Sequence, residues 1–265
     1  MLAVRIATAA ALLAGFLVAF FLSSPLVWML LCMLSLVPAA LEWARLSGVK
    51  GAASFAFAAL LALLFLALRA FPAVLPWNRA LFAAAALFWV FAAPVWLARR
   101  PAVRAGLLLP VGALVLLAAF AALAALRDAG SGLLLWIMAI AWVSDTAAFF
   151  CGRRYGRHKL APSISPAKTW EGVWGALVAV LAYAVALEFL VARLFPGIYG
   201  GPALFPVVAL ALAVLGILGD LFESQLKRRA GVKDSGRLLP GHGGVLDRID
   251  ALLPVLPAAA WWFGQ

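Results

Sequence analysis

AGLLLPVGALVLLAAFAALAAL, residues 105–126, is the stretch of sequence that sets the fold class of this chain. It contains no charged side chain and no hydroxyl or amide side chain. An apolar run of about 20 residues can cross the hydrocarbon core of a bilayer as an α-helix. The apolar residues follow one another directly, whereas a strand of a membrane β-barrel would alternate apolar and polar side chains. We therefore predict a transmembrane helix here.

Similar apolar segments recur along the whole chain. Of its 265 residues, 67% are hydrophobic and 12% are charged, against roughly half and a quarter in soluble proteins. This composition excludes a soluble enzyme and a disordered chain. It predicts an all-α polytopic membrane protein with nine transmembrane helices. The predicted spans are 6–22, 25–41, 51–68, 80–98, 105–126, 131–151, 170–194, 203–226 and 245–264.

Basic residues are distributed unevenly between the two sides of this nine-span arrangement. One side holds the N-terminus and the loops 42–50, 99–104, 152–169 and 227–244, which together carry 16 Lys and Arg, whereas the other side carries 4. Because Lys and Arg concentrate in cytoplasmic loops, we place the N-terminus and these loops in the cytoplasm. The same rule explains much of the net charge of +11 without a nucleic-acid partner.

Acidic residues are concentrated in the second half of the chain. The first 141 residues contain only two of the ten acids, Glu42 and Asp128. We therefore predict a helical membrane scaffold in residues 1–130 and a catalytic region with two cytoplasmic loops in residues 131–265. Two cysteines and two histidines are too few for a disulfide framework or a Cys-rich or multi-His metal site.

Six acids are predicted to lie at the cytoplasmic ends of four spans. A charge inside a span is costly and marks a functional site by default. Carboxylates brought together repel one another unless protons, cations or a metal ion balance them, and Mg²⁺ commonly joins carboxylates to substrate phosphates. Alternatively, the acids pair with nearby Arg and Lys and only hold helices together. The six are Asp145, Glu171, Asp220, Glu223, Asp247 and Asp250.

The loop 227–244 ends in Pro240-Gly241-His242-Gly243-Gly244, directly before a predicted helix that bears Asp247. Glycines let backbone N–H groups approach an anion, and a helix start adds a positive dipole. The pattern predicts phosphate binding. His242 could contact phosphate or transfer a proton, or it could simply be positioned by its neighbours.

The loop 152–169 offers four donors just before a helix, namely Ser163, Ser165, Lys168 and Thr169. Thr169 or Ser165 could cap that helix, but a cap would explain only one hydroxyl. The residues alone thus predict a cytoplasm-facing site with carboxylates for a divalent metal and two loops for phosphates. Phosphoryl or nucleotidyl transfer from a soluble polyphosphate onto a lipid fits such a site.

The stretch SQLKRRAGVKDSGRLLPGHGGVLDRID, residues 224–250, resembles the signature of the phosphatidate cytidylyltransferase (CDP-diacylglycerol synthase) family. Three upstream segments, 144–156, 163–172 and 219–224, resemble the same family in the correct order. Ala167, where many relatives have a second basic residue, is a minor departure. The N-terminal half is similar only in being multi-spanning.

This resemblance implies that CTP condenses with phosphatidic acid to give CDP-diacylglycerol and pyrophosphate. It implies a Mg²⁺ cofactor, leaves open a second, monovalent cation, and is compatible with a homodimer. The basic loops predict a site that faces the cytoplasm. The family occurs in bacteria and in eukaryotic endomembranes, and the lack of a targeting extension favours a multi-pass protein of the bacterial cytoplasmic membrane.

The resemblance also assigns roles to individual residues. Asp220, Asp247 and Asp250 are the candidate metal ligands. Together with Lys227, Arg248 and His242 they are the candidate catalytic residues. Lys227, Arg228, Lys233 and Arg248 would hold phosphates, and Gly243 and Gly244 would supply backbone donors. Ser163, Ser165, Lys168 and Thr169 would contact CTP or the lipid phosphate, and Asp145, Glu171 and Ser224 would line the cavity.

Three other functions remain as alternatives. A CDP-alcohol phosphotransferase would carry an Asp-Gly-x-x-Ala-Arg motif, which this chain lacks. A CTP-dependent polyprenol kinase fits the long signature less well. An ion-coupled transporter would place its acids near the membrane midplane with pathways on both sides, whereas here they are predicted at one end.

Overall fold

The structure is a computed structural model of the 265-residue chain. It describes residues 15, 17–18, 20–71, 75–101, 105–194, 204–238, 241 and 243–263. The predicted first span, 6–22, therefore lies mostly outside the described residues.

The described residues form a helical bundle with one small β-hairpin. Seven helical segments among them are long and apolar enough to cross a membrane, which confirms a polytopic all-α membrane protein. The helices are α1 (Pro25–Leu46), α2 (Ala52–Ala70), α3 (Leu75–Leu87), α4 (Ala93–Arg99), α5 (Ala105–Ala129), α6 (Ser131–Tyr155), α7 (Trp170–Leu194), α8 (Leu204–Arg229), α9 (Leu246–Ile249) and α10 (Leu252–Phe263). A π-helical turn, Phe88–Ala92, joins α3 to α4 so that the two cross as one segment.

The last predicted span, 245–264, is not one helix. It is divided into α9 and α10 by a turn at Asp250 and Ala251. Pro254 has no N–H to donate to the carbonyl of Asp250, so the ladder of helical hydrogen bonds is interrupted at this point. With 12 residues, α10 is only about 18 Å long at 1.5 Å per residue.

The loop predicted at 152–169 is partly ordered into secondary structure. Helix α6 continues to Tyr155, and strands β1 (Lys159–Ala161) and β2 (Ser165–Thr169) then pair antiparallel. Lys159 lies opposite Thr169 and Ala161 opposite Ser165. The hairpin therefore connects the end of α6 directly to the start of α7.

Helix α10 lies at the centre of the bundle and packs against α3, α5, α6 and α8. Small side chains permit this close packing, and Ala251, Ala259 and Ala260 are all buried. Gly219 of α8 also permits close packing, because it has no Cβ. A Cβ there would lie 2.4 Å from the Asp250 carbonyl oxygen and 2.7 Å from Pro254 Cδ. The close approach brings the turn at Asp250 against α8.

An aromatic cluster joins α1, the π-helical turn, α4 and α8. Phe222 is buried, stacks on Trp43 with ring centroids 6.4 Å apart, and meets Phe88, Trp89 and Trp96 edge-on at 5.4–5.7 Å. Such contacts favour one fixed arrangement of the rings. They fix the ends of α1 and α8 that carry Glu42 and Glu223.

Candidate active site

Three aspartates from three separate elements meet at one end of the bundle. Asp145 comes from α6, Asp220 from α8 and Asp250 from the turn after α9. Their carboxyl groups interact electrostatically with one another, and all three interact with Lys168 of β2. We call these four residues the aspartate group.

Lys168 is the cation of the aspartate group. Its Nζ forms an ion pair with Oδ2 of Asp220, and Ser224 Oγ donates a hydrogen bond to Asp220 Oδ1 at 3.3 Å. The Lys168 and Asp220 side chains are both about a quarter exposed. One ammonium cannot balance three carboxylates, so the fully ionised group carries surplus negative charge. Such a surplus favours a further cation or protons.

Mg²⁺ fits the chemistry of the aspartate group, since it prefers hard oxygen ligands. Within the described residues, no three His, Cys, Asp or Glu side chains form a ready-made metal cage. Mg²⁺ does not require one, because it is usually held by one or two carboxylates together with water and substrate phosphates. Of the predicted metal ligands, Asp220 and Asp250 lie in the aspartate group. The Mg²⁺ cofactor itself stays a prediction.

The third predicted metal ligand, Asp247, has both carboxylate oxygens occupied by the protein. Oδ1 lies 2.7 Å from Lys227 Nζ, and Oδ2 accepts the N–H groups of Ser235 at 2.9 Å and Gly244 at 2.8 Å. The side chain is only 8% exposed. We call Asp247, Lys227, Glu223, Ser235 and Glu42 the Asp247 cluster.

The hydrogen bonds to Asp247 stabilise its ionised form. The residue lies in α9, outside the seven membrane-spanning segments. Burial alone would raise its pKa, but the bonds from Lys227, Gly244 and Ser235 hold the pKa of Asp247 below its ordinary value. Asp247 is therefore an anion that the fold itself neutralises.

Lys227, predicted to hold a phosphate, is paired within the protein. Its Nζ lies 2.5 Å from Glu223 Oε2 and 2.7 Å from Asp247 Oδ1, and its side chain is 12% exposed. The ammonium thus joins α8 to α9 through two carboxylates. Its contacts are those of a buried structural ion pair, so contact with a substrate phosphate stays a prediction for this residue.

Glu42 is a member of the cluster that the sequence interpretation did not assign. Its carboxylate accepts hydrogen bonds from Ser235 Oγ at 2.8 Å and from the N–H groups of Val245 at 3.0 Å and Leu246 at 2.9 Å. The residue is 3% exposed. A carboxylate isolated in an apolar half of the chain was the available signal, but its partners lie about 200 positions away in the sequence.

Gly243 and Gly244 lie against the carboxylates of Asp247 and Glu42. Gly243 has φ +81°, a left-handed conformation that favours glycine, and a Cβ there would lie 2.6 Å from Asp247 Oδ2. A Cβ at Gly244 would lie 2.2 Å from Ser235 Oγ. The Gly244 N–H donates to Asp247. A phosphate contact for Gly243 and Gly244 therefore stays a prediction, and His242 lies outside the described residues.

The hairpin residues divide into structural and accessible groups. Thr169 is buried, and its Oγ1 accepts the Gly172 N–H at 3.2 Å, which caps α7. Glu171 accepts the His158 N–H at 3.2 Å and lies 2.7 Å from its ring Nδ1. Arg228 Nε donates to the Ile164 carbonyl at 3.3 Å, which ties the hairpin to α8.

The other predicted substrate-binding residues are accessible to different degrees. Ser163, Lys233 and Arg248 are exposed, and Ser165 is half-buried. Arg248 also lines an apolar cavity of about 550 Å³. Trp28, Cys32, Trp142 and Leu252 are among the other lining residues, from α1, α6 and α10. A charged residue thus borders a cavity that is otherwise largely apolar.

Comparison with known proteins places this arrangement in a family. The model of the Cytidylyltransferase family matches residues 3–263. The phosphatidate cytidylyltransferase of Pseudomonas aeruginosa is 38% identical over 238 residues, which cover 84% of this chain and 83% of that protein. Those of Haemophilus influenzae and Brucella suis are 42% and 49% identical over 137 and 120 residues.

The two shorter matches cover 51% and 45% of this chain and 46% and 42% of the respective relatives. They thus span less than half of those relatives' own length, whereas the family model spans nearly the whole chain. Because the family model matches residues 3–263 and the Pseudomonas relative is 38% identical over 84% of this chain, the chain belongs to the cytidylyltransferase family.

Proposed function

We propose that this chain condenses CTP with phosphatidic acid, releasing pyrophosphate and forming CDP-diacylglycerol for phospholipid biosynthesis. Family membership and the names of the three relatives support this reaction. The observation that carries it is the aspartate group, because α6, α8, the turn after α9 and β2 each bring one charged side chain to the same place.

The reaction needs no nucleophilic side chain. A phosphate oxygen of phosphatidic acid forms a bond to the α-phosphorus of CTP, and the bond from that phosphorus to the bridging oxygen breaks to release pyrophosphate. Both reactants are anions, so alignment and charge neutralisation dominate the barrier. These are tasks for fixed charges, which the site has.

Lys168 is the residue of the aspartate group that can neutralise a phosphate directly. Its ammonium is partly exposed and paired with Asp220, so it can exchange that carboxylate for a phosphate oxygen. Asp220 and Asp250 would hold Mg²⁺ beside it, together with water and substrate phosphates, and Asp145 would add negative charge close by. A bound Mg²⁺ would supply positive charge to the triphosphate.

The apolar cavity beside Arg248 fits the lipid substrate. Its volume of about 550 Å³ and its apolar lining suit an acyl chain, and Arg248 offers a guanidinium for the lipid phosphate, a group that binds phosphates well. A lipid acceptor can thus enter from the bilayer while CTP approaches from water.

The site faces the cytoplasm of a bacterial cell in this proposal. Exposed cations at the same end of the bundle support that orientation, since Lys and Arg concentrate on the cytoplasmic side. They are Arg153, Arg154, Arg157, Lys159, Arg229, Lys233 and Arg237. The bacterial origin of the relatives supports the cytoplasmic membrane. A homodimer is compatible with this placement.

Two labelled forms of CTP test the reaction and separate it from lipid phosphorylation. Purified protein in detergent with phosphatidic acid is given CTP labelled at the α- or the γ-phosphate. Cytidylyl transfer carries only the α-label into the organic phase, whereas a CTP-dependent kinase carries only the γ-label into its lipid. We expect the α-label in the organic phase when phosphatidic acid is the acceptor. The γ-label with a polyprenol acceptor, or no transfer of either label, would overturn it.

A further inference from the structure

Glu42 connects the N-terminal half of the chain to residues 224–250, the segment that carries the family signature. It lies near the end of α1, and its partners lie at residues 235, 245 and 246. The backbone N–H groups of Val245 and Leu246 lie at the start of α9, where they have no partner within the helix. The carboxylate of Glu42 therefore occupies the helix start that the sequence pattern predicts to bind phosphate.

The contact is close-packed as well as hydrogen-bonded. A Cβ at Gly236 would lie 2.3 Å from Glu42 Oε1, and a Cβ at Gly244 would lie 2.5 Å from both carboxylate oxygens. Glycines at these two positions allow the loop to enclose the carboxylate. A buried carboxylate is tolerated only when it is well hydrogen-bonded, so Glu42 and the loop depend on each other.

Ser235 carries the connection from Glu42 to Asp247. Its hydroxyl lies 2.8 Å from Glu42 Oε2 and 3.0 Å from Asp247 Oδ2, while its N–H donates to Asp247 Oδ2. The hydroxyl has one proton, so it donates to one carboxylate at a time while the N–H keeps its bond to Asp247. Glu42 therefore fixes Ser235, and Ser235 fixes Asp247.

The same contact affects the aspartate group. Helix α9 has only four residues, Leu246–Ile249, and Asp250 follows it directly. Glu42 holds the first turn of this helix, and the close packing of Gly219 against Asp250 and Pro254 holds the chain just beyond it. A shift of the α9 start would move Asp250 relative to Asp220 and Asp145.

We propose that Glu42 is a positioning residue, which fixes Ser235 and the start of α9 and thereby the place of Asp250 in the aspartate group. This rests on the proposed function for its kinetic consequence, whereas its structural consequence is independent of the substrate. The N-terminal half is then part of the catalytic apparatus, and not only its membrane scaffold.

The structural consequence is tested with trypsin on the purified full-length protein. Glu42→Gln keeps the size of the side chain but puts an amide where the carboxylate accepts hydrogen bonds. We expect cleavage after the exposed Lys233 and Arg237 to become about tenfold faster, because loss of buried hydrogen bonds raises the open population of the loop. Cleavage after Lys159 in the hairpin is the internal control and should keep its wild-type rate.

The kinetic consequence is measured on the same preparations. We expect kcat at saturating CTP and phosphatidic acid to fall roughly 10- to 100-fold in Glu42→Gln, the size of loss that a small misplacement of reacting groups causes. Asp128→Asn is the matched control, because Asp128 is the other acid of the first 141 residues and pairs with Arg69. It should retain wild-type kcat and loop cleavage.

A double variant separates positioning from a general loss of fold. Ser235→Ala removes one bond to Glu42, and we expect Glu42→Gln with Ser235→Ala to lose less activity than the product of the two single losses. Wild-type loop cleavage in Glu42→Gln, equal acceleration at Lys159, or fully multiplicative losses would each overturn the proposal. An inactive wild type whose loop is still opened by Glu42→Gln would overturn the proposed reaction and leave the structural role of Glu42 supported.

Discussion

Asp220 and Asp247 are the same residue type in opposite surroundings. Asp220 is about a quarter exposed and shares one lysine with two further aspartates, whereas Asp247 is nearly enclosed and bound on both oxygens by lysine and backbone N–H groups. The first has capacity left for a cation or a substrate. The second is already satisfied, so the two should respond differently to substitution.

Substitution of Asp220 should affect turnover more than stability. We expect Asp220→Asn to lower kcat/KM at least about 100-fold, since it removes a fixed charge where charge must be balanced in the transition state. The thermal denaturation midpoint of the purified protein should stay near that of the wild type. Both are measured on one preparation, and near-normal kcat/KM would remove Asp220 from the reaction.

Substitution of Lys227 should affect stability first. Lys227→Met leaves the buried carboxylates of Glu223 and Asp247 without their shared cation, and breaking a buried ion pair costs about 3–5 kcal/mol. We expect Lys227→Met to lower the thermal denaturation midpoint clearly. The double variant Lys227→Met with Glu223→Gln should recover part of this decrease.

Lys233→Met is the matched control for this experiment, because Lys233 lies exposed in the adjoining loop. It should denature like the wild type. If Lys227→Met and Lys233→Met denature at the same temperature, the ion pairs of Lys227 with Glu223 and Asp247 do not stabilise the fold.

The β-hairpin presents two lysines in different positions. Lys168 of β2 reaches the aspartate group, whereas Lys159 of β1 is exposed to solvent. We expect Lys168→Ala to lower kcat/KM for CTP or phosphatidic acid about 10- to 100-fold, because the ammonium balances phosphate charge.

Lys159→Ala removes the same charge from the same hairpin and should leave the kinetic constants unchanged. Initial-rate measurements over both substrate concentrations distinguish the two variants. Equal effects of the two substitutions would mean that the hairpin acts only through its overall charge.

The seven spans between Pro25 and Arg229 could be predicted from sequence because each is set by its own apolar run. Residues 105–126, for example, lie entirely within α5. The division of 245–264 into two helices was missed because hydropathy does not register the missing N–H of Pro254. The hairpin was missed because its two strands have only 3 and 5 residues and depend on α6 and α7 for their position.

The convergence of acids at one end of the bundle could be predicted by counting spans. Asp145, Asp220 and Asp250 were each placed at a cytoplasmic end, and the structure brings them together. Which acids share a group was not predictable, because that depends on helix rotation and on close contacts such as Gly219 against Asp250. Glu42 could not be assigned because its partners come from the other end of the chain.

The orientation of the molecule gives a prediction of its own. In a variant without Cys32 and Cys151, a cysteine at Arg237 should react with a membrane-impermeant maleimide only after the cytoplasmic membrane is opened. A cysteine at Ala129, at the end of α5, should react in cells whose cytoplasmic membrane is intact. The reverse pattern would place the aspartate group on the outer side.

The metal dependence of lipid product formation by the purified wild-type protein tests the proposed reaction and its metal together. CDP-diacylglycerol formed from CTP and phosphatidic acid is followed by mass spectrometry while EDTA and then excess Mg²⁺ are added. We expect synthesis to stop with EDTA and to resume with Mg²⁺. Synthesis that continues unchanged in EDTA would contradict a metal in the aspartate group, and no CDP-diacylglycerol under any of these conditions would contradict the proposed reaction itself.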